Sequence, residues 1–379
     1  MQILVLSYEF PPLGGGGAKV VFGLSNELVR LGHEVDVVTM GFRGLPKHET
    51  LNGVNVYRVP CIRRNVSLCT SIEMLSYLIT AIPKVIKLIR QRNYDLNHTH
   101  FLFPDGIIAL IAKRFTRLAY IITAHGSDVP GYNPHRFLRE HRLLFPLWNK
   151  VTQRASQIAC PSEYLKSLIL KQNSELQVDV IPNGIDSDKF DPGKQKQKRI
   201  LVVTRMLERK GVQYILKALE GLDLNHEIHI VGDGPYLQTL KALADKLKVH
   251  AKFWGQLDNA SGPLIELYET SDIFILASEA ENFPVVLLEA MAAGMAIVTT
   301  KGTGCTEVVG NTALLVEPRD PIAIREALVK LVSNHDFCVE LGQAARKRLE
   351  NNFSWTAVAK QYNDVYDRVS GSERRIHES

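Results

Sequence analysis

Ala277-Ser-Glu-Ala-Glu-Asn-Phe-Pro-Val-Val-Leu-Leu-Glu-Ala-Met-Ala-Ala-Gly294 lies between two apolar, strand-like runs, 272–276 and 295–300. Pro284 is expected at the first helical position and Gly294 just past the last, the usual asymmetry of helix ends. The amides of Val285 and Val286 then point out of the helix start, where the dipole favours an anion. Glu289 falls among Val286, Leu287, Leu288 and Met291, a poor place for an unpartnered carboxylate. Glu281 stands just before the helix. A carboxylate at each end of an anion-binding turn suits a ligand with a phosphate in the middle and hydroxyls on both sides, as in a nucleotide-sugar. The plainer reading makes Glu281 a solvated loop residue and Glu289 a helix-surface charge.

Outward from this stretch, 379 residues are long for one core and natural for two domains. An apolar content of 45% with 22% charged residues is that of an ordinary globular protein. The cysteines at 61, 69, 160, 305 and 338 form no C-x-x-C pair. A disulfide framework or zinc site is therefore not expected, and a cytoplasmic setting is. The opening run MQILVLSYEF is too short and lacks the basic lead of a signal peptide. Residues 1–183 carry 21 Lys+Arg against 13 Asp+Glu, a net of +8, while the remainder carries 24 against 27, a net of −3. The basic half is either an ordinary mixed surface or the side that meets an anionic partner.

The first half begins with a strand at 2–7, the run Pro11-Pro12-Leu13-Gly14-Gly15-Gly16-Gly17, and a helix from Ala18 to Leu31. Strand, glycine loop and helix indicate an α/β nucleotide fold. The dinucleotide fingerprint fails, because its third glycine falls on Lys19 or Val20, and no acidic residue ends the strand at 34–40. Further strands are expected at 53–59, 94–99, 119–124, 157–160 and 178–181, alternating with helices in a mostly parallel sheet. His98-Thr-His100 and Thr123-Ala-His125-Gly-Ser-Asp128 both follow strands, where open α/β sheets place their ligands. A metal site there is disfavoured, since no carboxylate or cysteine falls at ligand spacing with the histidines. The segment 72–89 is apolar at helical spacing between Arg63-Arg64 and Arg90-Gln91-Arg92. It reads as a core helix or as an amphipathic surface element with basic ends.

Ile181-Pro-Asn-Gly-Ile-Asp186 ends the first alternation, and an interdomain linker is placed at 183–198. The second alternation opens with 199–204 and leads to Arg205-Met-Leu-Glu-Arg-Lys210-Gly211. Arg suits bidentate phosphate contact and Lys a point charge, so Arg205 and Lys210 are diphosphate candidates, with Arg209 the solvated one. A glycine turn at Gly232-Asp-Gly234 follows, then Trp254-Gly-Gln-Leu257 and Lys301-Gly-Thr-Gly-Cys-Thr-Glu307. Helices are expected at about 320–333, 336–350 and 354–369, with a polar, frayed tail at 370–379.

Glu281-x7-Glu289 in the setting SEAENFPVVLLEAMAAG closely resembles the signature of the retaining group 1 (family 4) glycosyltransferases. "HGSD" at 125–128 and "PNGID" at 182–186 match further landmarks of that family. The resemblance implies two Rossmann-like domains facing across a cleft (the GT-B arrangement), with a C-terminal helix that crosses back to the N-terminal domain. The corresponding boundaries are 1–182, the linker 183–198, 199–352, and 353–379. It implies that Gly15, Gly16 and Gly17 approach the donor diphosphate, with Gly232 at a turn near the phosphates and Leu257 in the loop around the base. Asn282, Phe283, Pro284, Val285 and Val286 would meet the phosphates and sugar, and Glu289 the ribose. His125, Arg205, Lys210 and Glu281 would carry the catalysis, with His100 and Asp128 on the acceptor side.

The function so implied is retaining transfer of a sugar from a nucleotide-diphosphate sugar to a hydroxyl acceptor. No metal or other cofactor is called for, because cationic groups and a helix start replace it. The partners implied are the donor and a hydroxyl acceptor, soluble or lipid-linked. Peripheral contact with an anionic membrane at the inner face stays open, and nucleic acid is not expected. Three alternatives stand beside this reading. A glycoside hydrolase would need an acid and a carboxylate flanking the glycosidic bond. A nucleotide-sugar epimerase would share the architecture, and a non-catalytic nucleotide-sugar-binding subunit would lose Glu281, Arg205 or Lys210, all of which are present.

Overall fold

A computed structural model describes residues 1–66, 68–132, 138–258, 261–302 and 304–378. The chain forms two units, Met1–Gly184 with Trp355–Ser379, and Ile185–Ser354. In the first, strands β1 (Gln2–Leu6), β2 (Glu34–Met40), β3 (His48–Leu51), β4 (Val54–Val59), β5 (Leu96–His100), β6 (Tyr120–Thr123), β7 (Gln157–Cys160) and β8 (Val178–Val180) form one sheet. Its order is β3-β4-β2-β1-β5-β6-β7-β8, parallel except for the β3–β4 hairpin. That hairpin turns on Asn52 and Gly53, both at positive φ (51° and 86°), as a two-residue Asn-Gly turn requires. Helices α1 (Gly16–Arg30), α2 (Ser71–Gln91), α3 (Asp105–Thr116), α4 (Leu138–Arg154) and α5 (Glu163–Gln172) supply the crossovers.

The second unit holds β9 (Gln197–Val203), β10 (Glu227–Val231), β11 (Ala251–Gly255), β12 (Ser271–Leu276), β13 (Ala296–Thr300) and β14 (Leu314–Val316), all parallel in the order β11-β10-β9-β12-β13-β14. This is a doubly wound sheet whose strand order reverses between β9 and β12. Its helices are α6 (Val212–Leu219), α7 (Leu237–Lys246), α8 (Gly262–Thr270), α9 (Val285–Ala292), α10 (Gly304–Val309), α11 (Pro321–Ser333) and α12 (His335–Asn352). The strands are buried on both faces because side chains alternate. Ile200 and Val202 pack into one core with Val212 and Leu328, while Leu201 and Val203 pack into the other with Leu288 and Leu349.

The last helix, α13 (Trp355–Glu378), returns the chain to the first unit. Val358, Ala359, Tyr362, Val365, Tyr366 and Val369 recur at helical spacing and are buried with Ile3, Val5 and Val21. Trp355 anchors its start in a slot that exists because two neighbours lack side chains. A Cβ at Gly23 or Gly184 would come within 2.2 or 2.4 Å of the indole. Thr356 adds a hydrogen bond, its hydroxyl donating to Glu27 at 2.7 Å.

Three expectations change. The segment 183–198 is not a free linker. Ile185 and Phe190 bury in the core of the second unit, and Lys196 donates to the carbonyls of Glu269 (2.8 Å) and Ala293 (2.6 Å). A polar sequence hid these ties, and β9 begins two residues earlier than expected, at Gln197. The terminal helix does not stop at 369 but runs to Glu378. Finally, α2 is a core helix on one face only. Tyr77, Ala81, Val85 and Leu88 face the core, while Ile72, Leu75 and Ile79 stand exposed on another side.

Candidate active site

In the second unit, the chemistry-bearing residues gather at the C-terminal ends of β9 and β12. These two strands flank the point where the strand order reverses, the position at which open α/β sheets bind their ligands. Lys210 leaves the loop after β9, and Glu281 leaves the loop after β12. Their side chains form an ion pair, Lys210 Nζ with Glu281 Oε1, each only 10–13% exposed. Sequence spacing gave no sign of this pair. An ammonium has three protons, so Lys210 keeps two for a ligand, and Oε2 of Glu281 accepts no hydrogen bond among the described residues.

Glycines let these loops approach each other. A Cβ on Gly211 would lie 1.9 Å from the Ala277 carbonyl oxygen, and one on Gly304 would lie 1.4 Å from that of Asn282. The Gly304 amide in turn donates to the Glu281 carbonyl at 2.9 Å, so the start of α10 braces the loop that carries Glu281 and Asn282. Gly232 sits where a Cβ would meet the Thr204 carbonyl at 1.8 Å, which makes its immediate role the packing of two strand ends. Thr303, within the glycine turn read at 301–307, lies outside the described residues. Arg209, expected to be the solvated arginine, is tied down instead. Arg209 is half-buried and donates to the Ala280 carbonyl at 3.3 Å. Arg205 is exposed, and its guanidinium makes no hydrogen bond among the described residues.

Pro284 is the N-cap of α9, not its first helical residue, and Val285 opens the helix. The amides of Val285 and Val286 therefore occupy the first two helical positions, and the Leu287 amide bonds back to the Pro284 carbonyl at 3.1 Å. At the other end, Gly294 (φ 68°) and Met295 bond to the carbonyls of Met291 and Ala290, the paired pattern of a left-handed helix stop. Glu289 is 6% exposed and accepts a hydrogen bond from the Tyr268 hydroxyl at 2.8 Å on Oε2. Burial, reinforced by Glu289, holds the Tyr268 phenol well above its ordinary pKa, so it remains a donor. Tyr268 comes from α8, and no local pattern in the sequence links it to Glu289. Phe283 packs edge-on against Phe353 (5.6 Å between centroids), and Leu257 lies partly buried against the same core. Among the described residues, no group of three or more His, Cys, Asp or Glu side chains is placed to hold a metal ion.

In the first unit, the strand order reverses between β1 and β5, and the loops after these strands meet. Gly15, Gly16 and Gly17 form the cap and first turn of α1, two residues earlier than the expected helix start. A Cβ on Gly17 would strike the Phe101 ring at 2.6 Å, whereas those of Gly15 and Gly16 would meet open space. Phe101 itself has φ 71°, a conformation strained for an aromatic residue, and its ring packs on Tyr8 (4.9 Å) and His125 (4.3 Å). His125 Nε2 and His100 Nδ1 are hydrogen-bonded at 3.1 Å. Burial pushes the pKa of His125 down to about 3 and that of His100 well below its usual value, so both imidazoles are neutral. Asp128 does not reach outward. Its carboxylate accepts from the amides of Leu102 (2.9 Å), His125 (3.1 Å) and Gly126 (2.8 Å), which shapes the loop carrying His125. His100 is likewise buried, 1% exposed, behind His125.

Comparison with known proteins agrees with this geometry. The family model described as "Glycosyl transferases group 1" matches residues 184–348, and "Glycosyltransferase Family 4" matches 14–189. The chain belongs to the group 1, family 4 glycosyltransferases. It is 28% identical to an uncharacterized glycosyltransferase, MJ1607, of Methanocaldococcus jannaschii over 97% of this chain and 98% of that protein. Its fold, the two-Rossmann-domain GT-B type, is similar to that of sucrose-phosphate synthase from Thermosynechococcus elongatus. That match has a TM-score of 0.81 at 20% identity, covering 98% of this chain and 100% of the other. It is similar also to Anabaena HepE in complex with UDP-glucose, with a TM-score of 0.75 at 18% identity over 97% and 100% of the two chains.

Proposed function

We propose that this glycosyltransferase moves a sugar, with retention, from a nucleotide-diphosphate sugar to a hydroxyl acceptor. The observation that carries the reading is the Lys210–Glu281 pair at the reversal of the second sheet, beside the open amides of α9. The similar fold of HepE, whose complex contains UDP-glucose, supports a nucleotide-sugar as donor. Glu289, held by Tyr268, binds the ribose hydroxyls. The two remaining protons of Lys210, the Arg205 guanidinium and the amides of Val285 and Val286 stabilise charge on the departing diphosphate. Glu281 binds hydroxyls of the transferred sugar through Oε2, and the neutral His125 acts at the sugar as a hydrogen-bonding group. Acceptor attack occurs on the face the diphosphate leaves, and the diphosphate takes the acceptor proton. These cationic and amide groups do the work that a divalent metal would otherwise do, so turnover persists in chelator.

The test is a thermal-shift panel of UDP-, GDP- and ADP-sugars, followed by the glutamate variants. A donor at about a hundred times its dissociation constant stabilises the fold by roughly 2.7 kcal/mol. Glu289→Ala weakens free nucleotide and nucleotide-sugar alike, whereas Glu281→Ala spares nucleotide affinity and lowers transfer. Equal losses of nucleotide affinity in both variants would overturn the assignment.

One observation favours a lipid-linked acceptor. Six exposed large apolar residues, Ile62, Val66, Leu68, Ile72, Leu75 and Ile79, fall within a single stretch of the basic half. Lys87 and Arg90 extend the outer side of the same helix, α2. No helix among the described residues is long and apolar enough to cross a membrane. The proposed contact is peripheral, an apolar ridge with basic flanks lying on an anionic bilayer.

A further inference from the structure

We propose that the crossover helix α13 sets the position of His125 through a column of buried side chains. Tyr366 and Tyr362 hold His98, His98 carries His100, and His100 bonds His125. The inference rests on the reading above only for what His125 does; the column itself stands on geometry. His98, on β5, is held at both ring nitrogens, Nδ1 by the Tyr366 hydroxyl at 2.7 Å and Nε2 by the Thr123 hydroxyl at 2.8 Å. The Tyr362 hydroxyl shares a 2.9 Å hydrogen bond with Thr123, so two residues one helical turn apart on α13 fix both ends of the imidazole. The His98 ring then lies 4.2 Å from His100, centroid to centroid, and His100 reaches His125 at 3.1 Å.

Side-chain alternation brings this about. Leu96, His98 and His100 share one face of β5, and Ile121 and Thr123 share that face on β6, all toward α13. Val358, Ala359, Val365 and Val369 dock the helix together with the rings of Tyr362 and Tyr366. The tyrosine hydroxyls are not needed for that burial, and their partners are polar groups leading to His125. His98 is wholly buried, and its pKa is pushed down to about 3, chiefly by burial and then by His125. A neutral imidazole with both nitrogens bonded has one orientation; with one bond removed it has two. Tyr366, His98 and His100 are thus positioning residues.

The test uses the full chain with Tyr366→Phe and Tyr362→Phe, each of which keeps the ring and removes only the hydroxyl. Imidazole resonances of His125, identified through a His125→Gln variant, are followed by 15N-edited NMR. Turnover is measured with whichever of UDP-glucose, GDP-mannose and ADP-glucose the thermal panel selects. The expected result in Tyr366→Phe is a shifted or doubled His125 signal, with turnover at saturating donor reduced about tenfold. That is less than the roughly hundredfold cost of a 1 Å misplacement. Affinity for the free nucleoside diphosphate should be unchanged, with Tm within a few degrees of wild type. Unchanged His125 signals in both tyrosine variants overturn the proposal. So does a fall in nucleotide affinity and Tm that parallels the fall in turnover, because that marks general loosening. If His125→Ala retains full turnover, the assigned role of His125 is wrong, and the NMR measurement still decides the column.

Discussion

Lys210 and Glu281 stand 71 residues apart in the chain and form an ion pair between the loops that end β9 and β12. Removing one partner leaves the other charge nearly buried and unpaired. Lys210→Ala should therefore destabilise the fold by roughly 3 kcal/mol, whereas Lys210→Met with Glu281→Gln should recover most of that loss. Neither variant should transfer sugar. Urea midpoints and turnover together check the pair, and a double variant that regained activity would contradict the role of both residues.

The Arg205 side chain is exposed and makes no hydrogen bond among the described residues, so its removal should leave the fold intact. Its charge is needed as the diphosphate departs, and Arg205→Ala should raise the barrier by roughly 2–4 kcal/mol with little change in donor affinity. Single-turnover rates at saturating donor measure this. A wild-type rate would remove Arg205 from the mechanism.

Two glycines should respond in opposite ways. Gly304→Ala forces a methyl to within 1.4 Å of the Asn282 carbonyl oxygen, and α10 must retreat from the Glu281 loop. The expected cost is about 1–3 kcal/mol in stability, with weakened nucleotide binding. Gly16→Ala meets open space and should hold or raise Tm, by the ~0.5–1 kcal/mol that alanine gains over glycine in a helix. If the glycine loop approaches the donor, turnover falls in this variant without loss of stability.

The buried histidines make a pH prediction. His98, His100 and His125 are neutral when folded, with pKa values lowered by burial, whereas in the unfolded chain they protonate near 6.5. Below about pH 6.5 the unfolded state binds more protons, so stability falls as pH falls. Each group contributes on the order of 1 kcal/mol per pH unit until its folded pKa is approached. Denaturant midpoints at pH 5 and pH 7 should show the slope, and His98→Gln should reduce it. A flat profile would mean that these rings are solvated.

The ridge on α2 makes the membrane proposal measurable. Binding to anionic vesicles should weaken as salt rises, because exposed charges are screened beyond about 10 Å at 0.1 M. Ile72→Asp with Ile79→Asp should abolish it without unfolding the protein, since both positions are largely exposed. No sedimentation of wild type with vesicles at low salt, together with transfer to a small soluble acceptor, would assign the ridge to another purpose.

Most of the architecture is a local property of the chain and could be read without coordinates. Periodicity of two or of 3.6, with Gly and Pro at the breaks, is imposed by backbone geometry within a few residues, and it marked β12, α9 and β13 around Glu281 and Glu289. The hairpin strand β3 was missed: the Asn52-Gly53 turn was its one local signal, and its polar, partly exposed residues carry no apolar run to betray a strand. What the sequence could not supply is pairing at long separation. Lys210 with Glu281, Tyr268 with Glu289, and Tyr366 with His98, 268 residues apart, are made by strand order and helix docking. The same packing turned Asp128 inward to amides and left Arg205, not Arg209, open to solvent. A residue type says which bonds a side chain is able to make; only the tertiary structure brings up the partner, because a buried polar group is satisfied by whatever the fold places beside it.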